Sequence, residues 1–148
     1  MSESWHDAPE FEQSKHRERA KLLGYELSLT ETGSLAHWTP AAFMSNSMGR
    51  VHGGLVGTII DDVAAMALRS ADPTILMSPT ISMHIDYLRP LVLGAPYLCH
   101  GKALRVGGRV GVADALIVDA EGELCVRGSG TFAITRRPPS DPPITASQ

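Results

Sequence analysis

A chain of 148 residues is long enough for one well-buried core and too short for two independent ones. Its 43% hydrophobic and 20% charged residues are ordinary globular values, and a formal net charge of -3 lacks the basic surplus that nucleic-acid binding demands. The most apolar stretch, residues 55–68, is shorter than a membrane span and carries Asp61 and Asp62, so no transmembrane segment is expected.

Residues 1–10 are polar and acidic, with no basic segment leading into an apolar one; no secretory leader is expected, and a cytoplasmic location is. Residues 10–23 form a charged, helix-compatible run anchored by Phe11, Ala20 and Leu22, which predicts a peripheral helix on an N-terminal extension over residues 1–21. Residues 25–29 and 34–38 alternate polar with apolar on either side of Thr32-Gly33, a hairpin signature. Residues 40–49 lack periodicity and read as a loop. From Gly54 to Arg69 the pattern changes: Leu55, Ile59, Ile60, Val63, Met66 and Ala67 recur at helical spacing, and Val56, Gly57, Thr58 and Ala64 fill the opposite face. A helix apolar nearly all round is one that becomes buried. Ser70, Asp72 and Pro73 end it.

After Pro79 the pattern is that of strands. Ile81, Met83, Ile85 and Tyr87 alternate with Thr80, Ser82, His84 and Asp86 in a two-residue period. Residues 97–104, 109–118 and 124–135 follow as further strands, joined by turns at Val106-Gly107-Gly108 and Ala120-Glu121-Gly122. Residues 137–148, with Pro138-Pro139 and Pro142-Pro143, read as a disordered tail, leaving residues 22–136 as the folded domain. Cys99 and Cys125 are too few and too far apart for a disulfide framework or a metal site; both fall in apolar runs, so buried reduced thiols and no metal are expected. Two strands, one buried helix and four strands point to an α+β domain in which an antiparallel sheet curls around the helix.

Two places in this order could carry chemistry. The first turn of a helix leaves N–H groups without partners at the positive end of its dipole. His52-Gly53-Gly54 stands there, where glycines let another group approach the backbone and an oxyanion developing on a carbonyl would be stabilised. The plainer alternative is a tight entrance to a crowded helix. Asp61 and Asp62 interrupt an apolar helix, which is costly unless a carboxylate faces a cleft, finds a partner or shifts its pKa. For each, the alternative is an exposed helix edge or a partner elsewhere. Gly53 and Asp61 lie about 12 Å apart along one helix, too far to act on one carbonyl. If both are catalytic, the helix N-terminus of one subunit must meet Asp61 of another across a two-fold axis. A dimer, or a dimer of dimers, is therefore expected.

Asn46, Gly49, His52-Gly53-Gly54 and Asp61 nine residues after the histidine resemble the PaaI-type acyl-CoA thioesterases, with the resemblance extending over residues 22–135. It implies the hot-dog fold and hydrolysis of an acyl-CoA, with CoA part of the substrate and no further cofactor. Residue by residue, it implies that Gly53 donates its N–H to the thioester carbonyl, that Asn46 adds a side-chain contact there, and that His52 holds the loop or the thioester end. Asp61 would be general base or nucleophile, and Thr80 a hydroxyl that orients water. Gly54 would border the substrate, and Arg105 and Arg109, flanking the Gly107-Gly108 turn, would take the phosphates of CoA in preference to Arg136 and Arg137.

Met44, Met48, Leu55, Met77 and Met83 suit an apolar pocket for a medium-chain or aromatic acyl group, or else belong to the core. A hydratase of the same fold would carry His five residues after its Asp, where this chain has Met66. The 4-hydroxybenzoyl-CoA thioesterase subtype places its acid on the loop before the helix, and residues 45–51 contain none. Gly128-Ser129-Gly130 lacks the spacing of a serine elbow. The readings that stay open beside a thioesterase are a non-catalytic acyl-CoA binding module and another acyl-CoA enzyme of the fold.

Overall fold

The computed structural model of the chain describes residues 8–139, with side chains described from His16 onward. Residues 1–7 and 140–148 lie outside the described residues, and with them the start of the N-terminal extension and most of the expected tail. Helix α1 (Ala8–Leu23) leads into strands β1 (Tyr25–Thr30) and β2 (Gly33–Trp38), a 3-10 turn (Ala42–Met44) and the long helix α2 (Gly53–Ala71). Strands β3 (Ile75–Met77), β4 (Thr80–Tyr87), β5 (Tyr97–Val106), β6 (Val110–Val118), β7 (Leu124–Ala133) and β8 (Thr135–Arg136) follow. Six of them form one antiparallel sheet in the order β1-β2-β5-β6-β7-β4, while β3 pairs with β8 in a small sheet of its own. The sheet curls around α2, the hot-dog arrangement expected from the order of elements. The strand expected over residues 124–135 is broken, because Ile134 falls between β7 and β8 and the chain leaves for β3.

Helix α2 buries Val56, Ile59, Ile60, Val63, Ala64, Ala67 and Leu68. Each buried Val, Ile or Leu contributes about 1.5–3 kcal/mol. A helical glycine loses only about 1 kcal/mol relative to alanine, so this burial outweighs Gly53, Gly54 and Gly57. The helix is not enclosed on all sides, as its composition suggested: Leu55, Thr58, Asp61, Asp62 and Met66 remain half-buried along one flank. Small residues on the concave sheet face bring the helix close. A Cβ on Gly128 would lie 2.4 Å from Ile60 Cγ2, and one on Gly101 would lie 2.4 Å from the Val63 carbonyl oxygen. Opposite Gly101, the buried Ser34 hydroxyl donates to that same carbonyl at 2.6 Å.

Helix α1 docks beside β1. Ala20 and Leu23 are its buried anchors, and Leu22, expected in that role, is 65% exposed. Positions three apart share a helix face, so Leu23 and not Leu22 lies above Ala20. Gly24, with φ +83°, stops the helix with its N–H on the Ala20 carbonyl, and Trp38 Nε1 donates to the Leu23 carbonyl at 2.9 Å. Phe11, the third expected anchor, precedes the described side chains. Cys99 and Cys125 are free and buried. Among the described residues no helix is long and apolar enough to cross a membrane.

The clean alternation expected for β4 fails at its start. Thr80 pairs with Phe132 and Ser82 with Thr131, so Ile81 is an extra residue, a β-bulge. The insertion reverses parity. Thr80 turns to the helix side together with Ile85 and Tyr87, while Ile81 is left 57% exposed. His84 and Asp86 sit on the other face, where Arg127 joins them.

Candidate active site

The N-terminal end of α2 is built by its own loop. His52 is the N-cap, in extended backbone conformation, and its Nδ1 accepts from the Gly54 N–H at 3.0 Å. That bond occupies the Gly54 donor. Among the described residues the Gly53 N–H has no acceptor, so it is the free donor at the positive end of the helix dipole. Asn46 shapes the approach: its Oδ1 accepts from the Met48 and Arg50 N–H groups at 2.9 and 3.0 Å. The oxygen of that amide thus fixes the loop, which leaves its NH₂ group for other contacts. Tyr87, at the far end of β4, donates its hydroxyl to the Gly53 carbonyl at 2.6 Å. Beside these groups lies a cleft of about 320 Å³, walled by Met48, Val51, Val56, Tyr87 and Leu91 and bordered by Arg50 and Arg89. Of the methionines considered for such a pocket, Met48 lines it and Met44 is fully buried in the core.

Further along α2, the Thr80 hydroxyl donates to Asp61 Oδ1 at 2.5 Å. Burial raises the Asp61 carboxyl above its ordinary value, the Thr80 hydrogen bond opposes the rise, and the neighbouring Asp62 charge adds to it. A half-buried carboxylate with one oxygen held and the other available can take a proton from water or attack a carbonyl. Asp62 points elsewhere, into a cluster with Arg19, Tyr25 and His16.

The turn carrying Arg105 and Arg109 borders a second cleft of about 360 Å³. Arg136 holds that turn by donating to the Gly107 and Gly108 carbonyls at 2.8 and 2.7 Å, while its Nε pairs with Asp72 at the C-cap of α2. The turn and Gly53 therefore stand at opposite ends of a helix about 28 Å long.

The sequence model of the thioesterase superfamily matches residues 48–126, more than half of the chain and inclusive of Gly53, Asp61 and Thr80. The chain belongs to the thioesterase superfamily. Among its relatives, human acyl-coenzyme A thioesterase 13 is 28% identical over 88 residues, covering 59% of this chain and 62% of that protein. A protein of Halobacterium salinarum, named as a candidate esterase, is 35% identical over 96 residues, covering 60% and 62%. The chain thus spans less than two thirds of the length of either relative. In fold, this thioesterase-superfamily member is similar to the Escherichia coli PaaI protein of the phenylacetic acid degradation operon. The TM-score is 0.74, with 24% identity over 84% of this chain and 94% of that one. It is also similar to a hypothetical thioesterase of Streptococcus pneumoniae crystallised with coenzyme A, at a TM-score of 0.75 and 20% identity over 84% and 98%.

Set in this fold, the residues singled out in the sequence fall into groups. Asn46, His52, Gly53 and Gly54 gather at one end of α2, Asp61 and Thr80 meet near its middle, and Arg105 and Arg109 lie by its far end. Tyr87 was not anticipated, because a tyrosine closing an alternating run counts as one more apolar residue.

Proposed function

We propose that this chain is an acyl-CoA thioesterase acting as a dimer, with each active site assembled from two protomers. The observation that carries this reading is the course of β4. The strand starts at Thr80, bonded to Asp61, and ends at Tyr87, bonded to Gly53. It is also an open edge of the six-stranded sheet, eight residues long, with Ile81 and Tyr87 more than half exposed, as is Leu88 just beyond it. An open apolar edge invites a further strand. The opposite edge, β1, is shorter and ends in the polar run Ser28–Thr30 apart from Leu29, with α1 alongside. If two β4 edges pair antiparallel about a two-fold axis, the Thr80 end of one meets the Tyr87 end of the other. Asp61 of each protomer then faces the partner's Gly53, as the 12 Å separation within one chain requires. A dimer of dimers would leave this unit intact.

In that site the Gly53 N–H polarises the thioester carbonyl, with the Asn46 amide beside it, and His52 keeps the Gly54 donor occupied so that the helix end stays in shape. Asp61 of the other protomer, held by Thr80, takes a proton from the attacking water or itself attacks; the C–S bond breaks and the thiolate of CoA leaves. The cleft at Gly53, with its apolar walls, suits a medium-chain or aromatic acyl group. Arg105 and Arg109 are the arginines assigned to the CoA phosphates, a reading in keeping with the coenzyme A bound by the Streptococcus pneumoniae protein. Thiol release across short, medium, long and aromatic acyl-CoAs tests the function. Turnover of a medium-chain or aromatic ester is expected; tight binding without turnover would favour a binding module.

A further inference from the structure

Asp62, next to Asp61 on α2, is engaged by groups from two other elements. Arg19 of α1 forks onto its carboxylate, with Nη2 at 2.7 Å from Oδ1 and 2.9 Å from Oδ2. The Tyr25 hydroxyl of β1 donates to Oδ2, and His16 Nδ1 lies 3.7 Å from it while accepting from Arg19 Nη2 at 3.0 Å. The Asp62 side chain is only 13% exposed. Successive helical side chains diverge by about 100°, so Asp61 turns to β4 and Asp62 to α1 and β1. The two carboxylates nonetheless share one half-buried stretch, where a second negative charge disfavours ionisation of the first. The cation that offsets it comes from α1, outside the sheet and helix that make the hot-dog core.

We propose that Arg19 and Asp62 form a charge-balanced pair that keeps Asp61 ready to ionise, which makes Arg19 a positioning residue and α1 a working part of the site. The proposal rests on the assignment of Asp61 as the group that takes the proton or attacks. Neither Arg19 nor Asp62 touches the reacting ester; both act through Asp61. Among the described residues, the groups facing this stretch are His16, Arg17 and Arg19 from α1, Tyr25 from β1, Thr80 from β4, and Arg69 further along α2 itself. The inner faces of β2, β5, β6 and β7 present Ser34, Ala36, Cys99, Ala113, Ala115, Val126 and Phe132, none of them charged. Across the proposed dimer, the partner's His52 and Tyr87 would join the set. After burial and the Thr80 bond, the charge on Asp62 raises the Asp61 carboxyl and that on Arg19 lowers it. A clasp that merely fastened α1 would not distinguish which member of the pair was removed.

The test is the titration of the Asp61 carboxyl, followed by ¹³C NMR on protein labelled at aspartate, with the resonance assigned by its loss in Asp61→Asn. Arg19→Met is expected to move the midpoint up and Asp62→Asn to move it down, each by about half a pH unit. The double variant should return close to wild type, and Arg19→Lys, which keeps the charge, should shift it little. The acid limb of kcat/KM should move in step. Shifts of the same sign in both single variants, or no shift in either, would overturn the proposal. NMR shifts without hydrolysis would overturn only the assignment of Asp61 as catalytic, so the two failures are told apart.

Discussion

In the proposed mechanism Asp61 would work against the preference of the fold. Burial raises its carboxyl above the ordinary value of 3.8, so the charged form that accepts a proton from water is the form the folded chain disfavours. A carboxyl whose folded pKa exceeds its unfolded one binds more protons in the folded state; its contribution to stability is complete below 3.8 and lost as pH rises through the raised value. Asp61→Asn keeps an oxygen to accept from Thr80 and removes the charge. It should lower hydrolysis by about two orders of magnitude or more, the scale of lost acid–base catalysis. It should also raise Tm at neutral pH, with the gain shrinking as pH falls toward about 4. Calorimetry and thiol release on the same preparation check both halves. Turnover near wild type would remove Asp61 from the mechanism, and a Tm below wild type at neutral pH would contradict the account of its burial.

Helix α1 is fastened by groups whose charge depends on pH. Burial lowers the pKa of His16 from its ordinary 6.5, with Asp62 opposing, so the docked helix favours the neutral ring that accepts from Arg19. The undocked helix binds the proton more readily; docking therefore weakens as pH falls below 6.5. Hydrogen-exchange protection in α1, relative to β5 and β6, should drop between about pH 7.5 and 5.5. Unchanged relative protection would show that His16 does not govern the contact. Elements differed in how far the sequence could reveal them. Helix α2 was legible because a run of apolar residues broken by two acids has few other places to go, and the strands from β5 to β7 because turn residues bound them and most of each run alternates, despite irregularities at Ala103/Arg105 and Ile117/Val118. The bulge at Ile81 was not, since one inserted residue at the second position of a strand leaves the later period undisturbed. Arg19 was hidden for another reason: its partner lies 43 residues away, and no local pattern records such a contact.

For the whole molecule, the site was legible as two halves before it was legible as one. Asn46, His52 and Gly53 read as a place for an oxyanion, and Asp61 as an acid out of keeping with its helix; only the topology shows that β4 ties one half to each of its ends. In the proposed dimer, two protomers complete one site. Gly53 occupies the first helical position, after His52 at φ -64°, ψ 127°, a conformation that a following proline accepts. A Cβ there would lie 3.4 Å from the Tyr87 ring, an ordinary contact. Gly53→Pro thus deletes the N–H and sets ring carbon in its place, and is expected to cost at least about two to three orders of magnitude in kcat. Asp61→Asn disables the other half. The decisive measurement is hydrolysis by the two inactive variants unfolded together, refolded and compared with each refolded alone. Random pairing makes about half the dimers mixed, each with one intact and one doubly defective site, so activity should return to about a quarter of wild type. Activity that stays at the level of the separate variants would contradict a site shared between protomers.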